Sequence, residues 1–157
     1  MGEHAAALTR FASGFASDPA DCEDLFQDIC LAIWRALPRF RGECSEKTFL
    51  FRIAQNRGLT HRHKDNRVGI GDIDPDSLPD PRSDTEHAQT SRELHEILVR
   101  AIHALPEQYR GTVLMTLEGF SHRDIADVVG ISENNVAVRL TRARQRLRRL
   151  LEPKGLT

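Results

Sequence analysis

Apolar residues along the chain recur at helical rather than strand spacing. Leu25, Ile29, Ile33 and Leu37 stand four apart and mark one face of a helix that closes at Pro38. Asp21 is expected to cap its start, with Glu23 and Asp24 complementing the positive end of the helix dipole. After a Phe40-Arg41-Gly42 turn, Phe49, Ile53 and Ala54 predict a second helix, from about Thr48 into the basic stretch Arg62, Lys64 and Arg67. Farther on, Leu94, Ile97, Leu98, Ala101, Ile102 and Leu105 predict an amphipathic helix ended by Pro106, and Val113, Leu114 and Leu117 predict another. The punctuation then tightens. Ser121, three residues before Asp124, opens a short helix with Ile125, Ala126 and Val129 on its buried side, and Gly130 stops it. Ser132 can cap a long final helix striped by Val136, Leu140, Ala143, Leu147 and Leu150 or Leu151. That order, helix, tight turn, helix, predicts a helix-turn-helix.

Between the two helical sets, residues 68–91 hold Gly69, Gly71, Pro75, Pro79 and Pro81 among a row of aspartates, without apolar periodicity, and read as a linker. The expected fold class is therefore all-α, two small helical domains over residues 1–67 and 92–157 joined by a flexible acidic linker. A chain of 157 residues, 39% hydrophobic and 29% charged, can bury a core and is too apolar for wholesale disorder. Its longest apolar run, Ile29 to Trp34, is far short of the ~20 residues that cross a bilayer. With no basic-then-apolar leader in the first twenty residues, a cytoplasmic protein without membrane insertion is expected. Cys22, Cys30 and Cys44 are odd in number and widely spaced, so reduced thiols are expected. No paired Cys-x-x-Cys occurs, and His61 and His63 stand two apart, on different helix faces, so no metal site or cofactor is expected.

Charge changes the picture only when it is divided along the chain. The net charge is -1, yet residues 21–67 and 94–157 are each net basic and residues 68–93 strongly acidic. Within the first basic unit, Asp21 to Trp34 carries four acids and no base, whereas Arg35 to Arg67 carries nine bases and three acids, a polarity that suggests two partners. In the final helix, Arg139, Arg142, Arg146 and Arg149 fall on one side with Arg144 and Arg148 nearby, six arginines in eleven residues. Such a face can neutralise backbone phosphates as the helix enters the major groove; the plainer alternative is a solvated basic face. Phe49, Phe51 and Trp34 divide between core packing and contact with bases.

With both units read, the chain resembles an extracytoplasmic-function (ECF) sigma factor, of the smallest group of the sigma-70 family of bacterial transcription initiation factors. The first half carries the resemblance through Asp18 to Asp28, Ala32 to Gly42 and Thr48 to Arg57; the second through Ala104 to Arg110, Gly119 to Ser121, Asp124 to Ala126, Gly130 to Ser132, Val136 and Arg139 to Arg144. The resemblance spans about residues 8–152 and implies that region 2 docks on the beta-prime clamp helices of core RNA polymerase and reads the minus-10 promoter element. Region 4 then reads minus-35 and meets the beta flap. By the same likeness the docking residues are Asp21, Asp24, Leu25, Gln27 and Asp28. Phe40 to Thr48 corresponds to the loop that accepts a flipped minus-10 base, with Phe40, Arg41, Arg52, Asn56 and Arg57 as the contacting residues. For minus-35 they are Glu133, Asn134, Asn135, Ala137, Val138, Arg139, Thr141, Arg142 and Arg146. The resemblance further implies a free monomer controlled by an anti-sigma factor that clamps both domains.

Two departures stand out. The family usually carries about ten more residues before the stretch matching Leu8 to Phe15, so the first helix of region 2 is expected to be shortened, and Ala137-Val138 replaces the basic residue and serine of many relatives. No enzyme constellation occurs: Ser121, His122 and Asp124 are explained by capping, and catalysis would belong to the polymerase. A stand-alone helix-turn-helix regulator and a sigma-like adaptor that has lost promoter reading are the rival readings.

Overall fold

The computed structural model describes residues 4–67 and 87–151, and among them every regular element is helical. The order is α1 (Ala5–Ser13), α2 (Pro19–Ala36), a single 3-10 turn (Leu37–Arg39), α3 (Glu46–Arg67), α4 (His87–His103), α5 (Glu107–Leu117), α6 (His122–Val129) and α7 (Glu133–Leu151). The expected linker lies outside the described residues except at its end, where α4 begins at His87 rather than at residue 92. Apolar periodicity starts only at Leu94, so the first turn of α4 left no mark in the hydrophobic pattern.

Capping explains most helix starts and corrects one. Asp18, not Asp21, caps α2: its carboxylate accepts from the Asp21 backbone N–H at 2.7 Å, and Pro19 takes the first helical position, where its missing N–H costs nothing. The helix starts one turn earlier than the apolar stripe suggested, because Asp18 has the extended backbone of a cap and stands ahead of proline. Ser45 caps α3, accepting from the Thr48 N–H at 3.1 Å. Ser121 caps α6 and Ser132 caps α7, each accepting from the N–H three residues on at 3.1 Å. Between them Gly130 adopts φ +81°, a left-handed conformation that ends α6 and turns the chain.

A single hydrophobic core runs through both halves of the chain, from Leu8, Phe11 and Phe15 through Ile29, Ile33 and Phe51 to Met115, Phe120, Ile125, Val136 and Leu140. The two predicted units are thus packed together. Phe51 is the hinge of this core, edge-on to Phe11 (5.4 Å between ring centroids) and to Phe120 (4.7 Å), each such pair adding about 0.5–1.5 kcal/mol beyond its buried area. Leu37, Leu94 and Leu117, expected in buried stripes, are exposed instead. Leu37 and Leu117 lie at helix ends, whereas Leu94 stands in the middle of α4.

Small residues let the halves approach. A Cβ on Gly14 would lie 2.4 Å from a Leu114 methyl, and one on Gly111 only 2.0 Å from Oε1 of Gln55. Polar links tie the same seam: Arg10 donates to both Glu118 carboxylate oxygens (2.6 and 2.8 Å), His103 Nε2 to the Ser13 carbonyl (2.8 Å), and Arg52 to the Asp127 carbonyl (2.8 Å). Lys47 lies over the Phe120 ring at 4.0 Å. Buried Arg110 donates to the His103 and Leu105 carbonyls and so closes the C-terminal end of α4.

Candidate docking face and nucleic-acid interface

The outer face of α2 presents Asp24, Gln27 and Asp28 to solvent, at helical spacing on one side. Two residues expected with them are turned elsewhere. Leu25 is 1% exposed and packs in the core, so it supports this face rather than touching a partner through it. Asp21 points into the groove between α2 and α3, where its carboxylate accepts from the Ser17 N–H and meets His61 Nε2, both at 2.8 Å. Burial acts to raise the Asp21 pKa, but the hydrogen bonds from His61 and Ser17 and the charge of His61 outweigh it, and the carboxyl is held below its ordinary value.

Sequence reasoning missed the apolar part of this face. Trp34 is 75% exposed and Leu31 is exposed one turn before it, beside Gln27 and Asp28. Neither joins the core, because both fall off the Leu25, Ile29, Ile33 stripe; that displacement was the available signal. An exposed tryptophan on a helix whose preceding turns expose acids and a glutamine has the composition of a protein-binding surface.

The residues expected at minus-10 divide. Arg52 and Asn56, one turn apart on α3, are exposed on a shared face. Arg57 instead leans toward α2 and pairs with Asp28 at 3.8 Å. Phe40 is half-buried against Phe49, ring centroids 4.4 Å apart, and anchors the loop in which Arg41 is exposed and Gly42 takes φ +73°. Of the aromatics left open above, Phe51 is core and Phe49 is half-buried.

In the helix-turn-helix, α6 and α7 meet around Ile125, Ala126, Val136, Leu140 and Ala143. The opposite side of α7 carries Glu133, Asn134, Asn135, Val138, Thr141, Arg142 and Arg146, all exposed, with Ala137 half-buried. Two of the arginines are already occupied within the protein. Arg139 is half-buried and donates to the Gln108 carbonyl at 3.1 Å, and the Arg146 guanidinium lies 5.5 Å from the Tyr109 ring centroid. Both therefore brace α7 against α5. Among the described residues no cluster of histidine, cysteine and carboxylate could hold a metal, and no helix is long and apolar enough to cross a membrane.

An acidic, aromatic docking face followed by a basic helix and a helix-turn-helix defines a DNA-binding protein with a second, protein-facing surface. Comparison with known proteins agrees in both halves. Residues 1–68 match Sigma-70 region 2 and residues 95–147 match Sigma-70, region 4. The RNA polymerase sigma-H factor of Pseudomonas aeruginosa is 31% identical over 150 residues, 88% of this chain and 77% of that one. The ECF RNA polymerase sigma-E factor of Escherichia coli K12 is 29% identical over 143 residues, 85% of this chain and 75% of its own. Among solved structures, the sigma factor RpoE in complex with the anti-sigma factor NepR from Bartonella quintana aligns with a TM-score of 0.70 at 25% identity, covering 94% of this chain and 91% of that one. CnrH in complex with the cytosolic domain of CnrY aligns at 0.68 and 25% identity, covering 97% and 84%. The chain belongs to the sigma-70 family, as an ECF sigma factor, and sigma factors are not enzymes.

Proposed function

We propose that this sigma factor docks on the clamp helices of core RNA polymerase through Asp24, Gln27, Asp28 and the exposed Trp34. In this reading Arg41, Arg52 and Asn56 engage the minus-10 element, with Phe40 shaping the loop beside a flipped base, and α7 engages minus-35 while its unit meets the beta flap. The protein acts in the cytoplasm as a monomer when free and needs no cofactor, because the polymerase supplies the chemistry. An anti-sigma factor restrains it, as the complex of the similar RpoE with the anti-sigma factor NepR suggests. The observation that carries this reading is the pairing, in one chain and in family order, of the α2 face with the helix-turn-helix. A stand-alone regulator leaves the exposed Trp34 and acids of α2 unexplained, and an adaptor without promoter reading leaves the exposed arginine face of α7 unused.

The test is run-off transcription with core polymerase and a promoter library. Specific products are expected from the wild type. Trp34→Ala and Asp28→Asn are expected to weaken polymerase binding about tenfold or more, as for a residue at the centre of an interface. Arg142→Ala should keep polymerase binding and lose minus-35 selectivity. Polymerase binding without any promoter-specific product would favour the adaptor, and duplex binding without polymerase binding would favour the stand-alone regulator.

A further inference from the structure

The groove-facing side of α7 has an unusual centre. Val136, Leu140 and Ala143 turn into the core, and at about 100° per residue the middle of the opposite face falls on Val138. Its side chain is 37% exposed, and among the described residues it is the only large apolar residue exposed on α6 or α7. Asn134 precedes it by one turn, and Thr141 and Arg142 follow it by one turn, all exposed. Competing readers are partly occupied: Arg139 is drawn aside to Gln108, and the Thr141 hydroxyl donates to the Ala137 carbonyl at 3.0 Å. The centre of that face is therefore occupied by an aliphatic residue.

An isopropyl group cannot exchange hydrogen bonds with a base edge. Pressed on guanine N7 or O6, adenine N6, or cytosine N4, it would strip water from a polar atom and return nothing. Of the groups that the major groove displays, only the 5-methyl of thymine is apolar. We propose that Val138 reads a thymine in the minus-35 element through that methyl, making this position of α7 a specificity determinant by apolar contact rather than by hydrogen bonding. The assignment rests on α7 being the minus-35 helix, and it deepens that reading by naming the base.

The test uses the full chain with core polymerase at limiting holoenzyme. A library randomised through the minus-35 region is expected to return one strongly preferred thymine, on either strand. Replacing that thymine by deoxyuridine removes only the methyl, and transcription by the wild type should fall about fourfold, the effect of one buried methyl-sized group. Val138→Ala and Val138→Ser, folded as judged by unchanged helical signal and thermal midpoint, should use thymine and deoxyuridine promoters about equally while still transcribing from both. Equal use of the two bases by the wild type, or a Val138→Ala variant that keeps the preference, overturns the contact. A library that yields no transcript at all overturns the promoter-reading function and the contact with it.

Discussion

Asp21 occupies the third position of α2, with its backbone N–H held by Asp18 and its carboxylate held by Ser17 and His61. That geometry gives it a structural task distinct from its exposed neighbours. Because its folded-state pKa is depressed, its contribution is fully present above the ordinary carboxylate range and is lost as pH falls below about 4, through the depressed value. Asp21→Asn should therefore destabilise the protein by about 1–2 kcal/mol at pH 7. Thermal melts should show that difference shrinking as pH is lowered toward 3. Asp24→Asn, at an exposed position, should leave the midpoint unchanged and show its effect only in polymerase binding. The Asp28–Arg57 pair, long and largely exposed, should add little to stability at any pH.

At the scale of elements, the turn between α6 and α7 depends on backbone conformation more than on contact. Nothing lies within 4 Å of a Cβ added to Gly130, yet its φ of +81° is one that other residues adopt at a cost. Gly130→Ala should cost about 1–2 kcal/mol, and Ser132→Ala, which removes the α7 cap, about 1 kcal/mol. Both are measured by chemical or thermal unfolding. The two should differ in function: a strained turn re-aims α7 and lowers minus-35 selectivity, while a missing cap only frays its first turn. On α2, by contrast, the same helix serves two sides at once, with Leu25, Ile29 and Ile33 holding it to the core and Asp24, Gln27, Asp28 and Trp34 facing out.

For the whole molecule, the seam between the halves conflicts with the geometry of a promoter. Elements centred 25 base pairs apart lie about 85 Å apart on B-form DNA, whereas a packed chain of this length has a radius of gyration near 15 Å. The packed arrangement also engages Arg52 with α6. Promoter binding by both halves thus requires the seam to open, and residues 68–86, fully extended, reach at most about 65 Å. One feature of the seam favours opening: Gln55 Oε1 is buried there with no hydrogen-bond partner among the described residues, a defect of about 1–3 kcal/mol. Gln55→Met should tighten the closed form and reduce run-off transcription. Glu118→Ala, which removes the two bonds from Arg10, should loosen it and raise transcription at limiting polymerase. Changes in the same direction for both variants would exclude this gating.

Much of the molecule was legible in the sequence alone, because helices are written in information three or four residues long. The α3, α6 and α7 stripes, the Ser121 and Ser132 caps and the Gly130 turn all follow from such spacing, while the family was legible only through the resemblance of the residue motifs in both halves. Tertiary structure decided what depends on residues far apart in the chain. Leu25 went inward and Trp34 outward because α1 and α3 cover only one side of α2. Asp21 was drawn from the docking face by His61, forty residues on. Arg139 was taken from the DNA face by Gln108, and the two halves closed on each other through Phe51 and Phe120. Local spacing says which residues share a face; only the packing of distant elements says what that face meets.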